Sequence, residues 1–400
     1  MRFIHTSDWH LGKTLDRYSR IEEQKKFCHD FIERVNEENI DMIIIAGDII
    51  DYTNNSSEGE ELFYSTVSKI SNNGQRCVLI VKGDKDNLKK LSSISSLVHK
   101  QGILIVDKLN TKIEPIKYSG FEVTNSNEGS IKLNIKGEKI VIATLPYCSE
   151  SELDRFISKH DDKYEKQQSY SSKVSKVFNI LENYYEDNSI NIAVSHVSVA
   201  GGENNNLTNR SLENSSVEKR DLPQKSQYIA LGHLHKMQKI SERINAYYSG
   251  SPLQYSKYER EDSKGGYLVE INNNNKPIVE ELYFDNYRPI ELFTCNEISR
   301  ALEICEENKN RDIWSYFEIK TSKAISSQNI KKMKETLKGI VEIMPLNKDN
   351  LSEECNIDKS MAELFKSFYY YNNESEVSGE LMNLFLEISS KEGETNHETN

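Results

Sequence analysis

Apolar residues in the first 110 positions fall in short unbroken runs: 3–4, 42–46, 77–81 and 103–106. Strands that are apolar throughout are those covered on both faces, as in parallel sheets. Between the runs the pattern changes to that of an amphipathic helix. Ile21, Cys28, Phe31, Ile32 and Val35 recur at helical spacing within 20–40, and further helices are predicted over 57–71 and 87–100. Strand–helix alternation of this kind predicts a layered α/β fold with a mostly parallel sheet.

From about residue 118 the period shortens. Runs at 121–124, 131–135 and 139–143 have short polar joins, which predicts a second, more antiparallel sheet. Helices are expected over 150–160 and 164–185, strands at 192–195 and 228–231, and further strands near 247, 267–271 and 278–284. The Asn- and Ser-rich segment 201–225 reads as a long loop over the site. A boundary is placed at 286–289, dividing a main domain (1–285) from a small α/β unit (286–346). Residues 347–358 read as a polar linker, followed by two short helices over 361–371 and 377–389. Met361, Leu364, Phe365, Phe368 and Tyr369 form an apolar stripe, and Leu381, Leu384, Phe385 and Ile388 form another.

The chemistry lies where the runs stop. Five of them end in polar clusters: Asp8 and His10, then Asp48 and Asp51, Asp84 and Asp86, His196, and finally His233 and His235. Alternate residues of an extended chain point the same way, so Asp8 and His10 can face one site. Five strand tips bearing Asp and His are hard to explain except as a metal site. Asp8, His10, Asp48, Asp84, His196, His233 and His235 make seven candidate ligands, enough for two ions with Asp48 as the bridge. The O/N donor set suits Mn²⁺ and could hold Fe or Zn. Two such ions stabilise the attacking and leaving oxygens of a phosphoryl displacement, so no Ser or Cys nucleophile is needed. Asp51 and Asp86 are expected to orient ligands rather than bind metal. His5, His29, His99, His160 and His397 fall outside the strand-tip pattern and read as structural or surface residues.

Composition narrows the partners. Four hundred residues with 36% hydrophobic and 28% charged positions can build a sizeable core, and two or three domains are expected. No apolar stretch is long enough to span a membrane, and the N-terminus lacks the layout of a signal peptide. The six cysteines are scattered without a C-x-x-C pair, which reads as reduced thiols in a cytoplasmic protein. A net charge of −12 argues against gripping phosphate backbones through overall basicity. Nucleic acid would have to be held by metal, by local Lys/Arg patches such as Lys219-Arg220, Lys236, Lys239 and Arg243, or by a partner. A solvated face is an equally good reading of each patch, and it is the preferred one for Lys331, Lys332, Lys334 and Lys338.

The ordered motifs D-x-H, G-D-x-x-D, an isolated His and G-H-x-H resemble those of the calcineurin-like metallophosphoesterases. Three longer stretches are similar to the SbcD family of bacterial nuclease subunits: HTSDWHLGK at 5–13, Leu231-Gly-His-Leu-His-Lys236, and Tyr248-Ser-Gly-Ser-Pro-Leu-Gln254. The resemblance covers nearly the whole chain. It implies a sheet sandwich flanked by helices, a capping unit, and a C-terminal helix pair (347–400) that docks on an SbcC-type coiled-coil ATPase. It further implies Mn²⁺-dependent exonuclease action on duplex DNA ends, endonuclease action on single strands and hairpins, and a homodimer within a heterotetramer, serving DNA repair and recombination.

One motif departs from the family pattern. Where the family reads Gly-Asn-His-Asp, this chain reads Gly83-Asp84-Lys85-Asp86. Asp84 can ligate as Asn does, but it adds a negative charge beside an anionic substrate. Lys85, with Asp51 the expected catalytic contributor, supplies positive charge and a donor. Its ordinary pKa near 10.4 makes it a poor general acid at neutral pH. A catalytically attenuated scaffold subunit and a small-molecule phosphodiesterase are therefore the alternative readings.

Overall fold

The structure is a computed structural model. It describes residues 1–51, 57–161, 163–203, 216–273, 275–321 and 324–346, with residues 365, 369, 377–379, 381–382 and 384–385 towards the C-terminus. Its centre is two sheets packed face to face. The first has six strands, in the order Ile278–Tyr283, Gly265–Glu270, Arg2–Thr6, Met42–Ile45, Cys77–Val81, Ile103–Val106. The last four run parallel, and Gly265–Glu270 is antiparallel to Arg2–Thr6. The second sheet has eight strands. It is antiparallel from Ile116–Lys117 to Glu138–Leu145, then parallel through Ile190–His196, Tyr228–Gly232 and Ala246–Tyr248.

The all-apolar strands have two buried faces, as their sequence requires. Phe3, Met42, Ile44, Cys77 and Leu79 point into the core between the sheets, against Ile140, Ile142, Ile192 and Tyr228. Their neighbours Ile4, Ile43, Ile45, Val78 and Ile80 point the other way, onto Phe27, Phe31, Val35, Phe63 and Val67 of the helices Ile21–Glu37 and Ser57–Ser71. The outer face of the second sheet is covered by Glu150–His160 and Tyr170–Leu181. The result is four layers: helix, sheet, sheet, helix.

One expectation is corrected. The helix expected from residue 164 begins at Tyr170, because the Ser169 side chain accepts from Ser172 N and caps it there. The strands expected at 267–271 and 278–284 are present as Gly265–Glu270 and Ile278–Tyr283, and they join the first sheet beside the N-terminal strand.

Residues 290–346 form a three-stranded parallel sheet (Ile290–Cys295, Trp314–Lys320, Ile340–Leu346) with helices Ile298–Asn308 and Ser327–Thr336 and a core of their own. It joins the main body through Leu15, Ile290, Trp314, Tyr316 and Val341. Polar contacts fix the junction. Glu23 takes both the buried Arg20 guanidinium and the Trp314 indole N–H (2.8 Å), and Tyr18 Oη donates to Ile340 O at 3.0 Å. Most of the expected C-terminal helix pair lies outside the described residues. Within it, the rings of Phe365 and Phe385, one from each expected helix, stack at 3.9 Å.

Candidate metal centre

The predicted strand tips converge on one end of the sandwich. The first three come from the first sheet. Trp9 is buried between Phe27 and Phe31, ring centroids 5.3 Å from each, while Asp8 and His10 on either side of it turn to the opposite face. The loops after strands Arg2–Thr6 and Met42–Ile45 run side by side: Asp8 N donates to Gly47 O, and His10 N to Asp48 O, both at 2.9 Å. Asp86 ties in the third tip, its carboxylate accepting from Gly83 N, Ile49 N and Ile50 N. Asp8, His10, Asp48 and His233 all have positive φ. Left-handed backbone at four non-glycine residues of one cluster is the kind of local strain that concentrates at functional sites.

The second sheet supplies His196, His233 and His235. The sheets approach so closely here that a Cβ on Gly232 would lie 1.9 Å from Ala46 O, so glycine is required. Two groups form around one carboxylate. Asp8, His10 and His235 offer ligand atoms within 4.8 Å of one another, and so do Asp84, His196 and His233. Asp48 stands between, Oδ2 3.7 Å from His10 Nε2 and Oδ1 3.5 Å from His196 Nε2. All seven predicted residues are thus in one cluster.

The donor set fits divalent cations. His196 Nδ1 lies 2.8 Å from Ala46 O, and a carbonyl can only accept, so Nδ1 carries a proton and Nε2 is the atom turned towards Asp84 and Asp48. His235 Nδ1 meets Glu259 at 3.0 Å, which leaves its Nε2 opposite His10 Nε2 at 3.0 Å. Two imidazole nitrogens facing each other at that distance suit a shared cation. The electrostatics agree. Burial pushes the Asp48 carboxyl well above the usual range, and the carboxylates of Asp84, Asp86 and Asp8 add to it. Burial also drives His10 far below its ordinary value, as a neutral ligand requires. Burial opposes a charged His196, but Asp48, Asp84 and Asp8 outweigh it and raise the ring to about 10. Excess buried negative charge is what a bound cation would neutralise.

The sequence reading missed Glu259. It lies in the turn Lys257–Glu259, is buried, and accepts from His235, from Lys264 Nζ at 2.6 Å and from Tyr255 N at 3.2 Å. Burial opposes its charge, yet Lys264 and His235 hold it well below the usual carboxylate range. Its signal is the carboxylate that a histidine would need on its far nitrogen to ligate a metal, visible only once the chain is folded. Gln24 is a second such residue, bridging Gly12 N and His10 O.

Asp51 sits beside the cluster, Oδ2 3.9 Å from His10 Nδ1 and from Lys13 Nζ. Lys85 N donates to Asp48 Oδ1 at 2.8 Å, and its half-exposed ammonium pairs with Asp84 Oδ2 at 2.6 Å. Burial lowers the Lys85 pKa, but Asp84 outweighs this and raises it, so the side chain stays charged. Lys236 and Lys239 are paired with Glu203 and Glu242, a solvated face rather than an open basic patch. His5 bonds Tyr228, His99 bonds Tyr118, and the five described cysteines are buried free thiols.

Residues 1–237 match the family model for the calcineurin-like phosphoesterases. The chain belongs to that family. Among its phosphoesterase relatives, the SbcD component of the nuclease SbcCD from Bacillus subtilis (strain 168) is 31% identical over 399 residues, spanning 98% of each chain. A solved dimetal phosphatase from Danio rerio superposes with a TM-score of 0.40 at 11% identity, covering 72% of this chain and 97% of that one, too loosely to carry an argument. Among the described residues of this phosphoesterase, no helix is long and apolar enough to cross a membrane.

Proposed function

We propose that this phosphoesterase is the DNA-cutting subunit of an ATPase–nuclease complex, with two divalent ions, Mn²⁺ by donor type, at the strand tips. Asp8, His10 and His235 would hold one, Asp84, His196 and His233 the other, with Asp48 shared. Such ions would stabilise both the attacking and the leaving oxygen of a phosphoryl displacement. The chain's own residues do the rest. Glu259 and Ala46 O orient the imidazoles, Asp86 fixes the two carboxylate loops in register, and Lys85 presents a permanent positive charge at the rim for the phosphate. The observation that carries the reading is the pair of three-residue clusters on either side of Asp48.

The full-length likeness to a nuclease component supports DNA as substrate, cut as an exonuclease at duplex ends and as an endonuclease on single strands and hairpins. It also supports an SbcC-type coiled-coil ATPase as partner, engaged through residues 347–400, and a homodimer within a heterotetramer acting in cytoplasmic DNA repair and recombination. With a net charge of −12, the ATPase is the natural source of much of the DNA affinity. The Lys85–Asp84 ion pair favours one second reading, an attenuated subunit that mainly scaffolds the ATPase. Linear duplex and hairpin DNA, incubated with Mn²⁺ and the chain with and without its ATPase, tests both. Cleavage supports the first reading, and complex formation without cleavage supports the second.

A further inference from the structure

A pocket of about 110 Å³ opens beside the cluster, with His233 in its wall together with Tyr147, Tyr170, Val197, Ser149 and Ser198. Tyr147 is 39% exposed, among the few large aromatic side chains left open in the described residues. It is nevertheless held in place. Pro146 restricts the backbone before it. Tyr147 N donates to Lys82 O at 2.9 Å, Lys82 Nζ donates back to Tyr147 O at 3.0 Å, and the same ammonium lies 5.5 Å from the ring centroid. A partly exposed ring in the pocket wall, on a backbone tied to Lys82 at both its N–H and its carbonyl, is a prepared platform. The pocket also carries little free charge, because Glu150 in its wall is paired with Lys173 at 2.7 Å.

Because His233 is part of its wall, an occupant of this pocket can be joined to a group at the metal centre. On the reading of that centre as a phosphodiester site, the tethered group is what the phosphate carries. We infer that the pocket receives a single unpaired nucleobase next to the phosphate at the metal centre, with Tyr147 as its stacking platform. Size argues for one base: pockets for whole small molecules run to about 300–1,000 Å³. Base-on-aromatic stacking is worth about 1–3 kcal/mol and tolerates any base, which suits a site that must not choose sequence. A base inside an intact duplex cannot enter. The subsite therefore selects frayed ends, single strands and hairpin loops.

The test compares binding of thymidine 5′-monophosphate and of base-free deoxyribose 5-phosphate to the full chain with Mn²⁺, by calorimetry. The wild type should prefer the nucleotide by about 5- to 150-fold, the stacking energy above expressed as a ratio. Tyr147→Phe should keep the preference, and Tyr147→Ala should reduce it to about one. Equal affinities in the wild type, or a preference that survives Tyr147→Ala, would overturn the subsite. DNA cleavage reports separately on the proposed function. A chain that shows the preference but cuts nothing keeps the subsite and loses the catalytic reading, while one that cuts DNA without the preference does the reverse.

Discussion

The two sheets bring different chemistry to the centre. The first contributes Asp8, Asp48, Asp84 and Asp86 with a single imidazole, His10; the second contributes His196, His233 and His235 and no acid. The acid side is unstable alone. Its buried carboxylates repel one another, and Asp48 is pushed well above its ordinary pKa by burial and by its neighbours. The imidazole side is aimed: Ala46 O fixes the outer nitrogen of His196, and Glu259 that of His235. One sheet thus supplies charge that calls for a cation, and the other supplies directed lone pairs. The centre exists only where the two meet, at Gly232 against Ala46.

The largest break in this comparison is Asp48→Ala, because the Asp48 carboxylate lies between His10 and His196, one oxygen towards each. It should abolish Mn²⁺-dependent cleavage and weaken binding of both ions, read by metal titration alongside a nuclease assay. Glu259→Gln acts on the imidazole side only. It should lower affinity for the ion at His10 and His235 by about 10–100-fold while leaving the Asp84 side unchanged, giving two separated binding phases.

Sharpening the acid side comes next. Asp84→Asn with Lys85→His removes one negative charge and supplies an imidazole, so cleavage at neutral pH should rise. A double variant no faster than wild type would mean that the chain compensates elsewhere. An effect on stability rather than on the site sits at His5, which crosses from the first sheet to Tyr228 in the second. Burial lowers it to about 3. The unfolded ring takes up a proton near pH 6.5 while the folded one does not, so its contribution is intact above pH 6.5. It is lost as pH falls towards 3, by up to about 1.4 kcal/mol per unit. His5→Gln should flatten that part of the stability–pH curve, measured by urea unfolding.

The same contrast explains what was legible in the sequence. Strands such as Met42–Ile45 and Cys77–Val81 announce themselves because burial on both faces forces an unbroken apolar run. Candidate ligands at their tips follow directly. Contacts made across the fold leave no such trace. Glu259 sits in a charged stretch with no periodicity, Ser169 looks like any loop serine until it caps a helix, and strand Gly265–Glu270 carries no local sign of pairing with Arg2–Thr6. The positive φ at Asp8, His10 and Asp48 is likewise invisible in the sequence, since it is imposed by the neighbouring loops.

The central claim is that two metal sites share Asp48 between the sheets. Mn²⁺ stoichiometry of the full chain, measured by titration calorimetry and elemental analysis for the wild type, His10→Ala and His196→Ala, tests it most directly. The account predicts two ions for the wild type and one for each variant, with a different ion lost in each case. Two ions retained in both variants, or a single ion in the wild type, would contradict it.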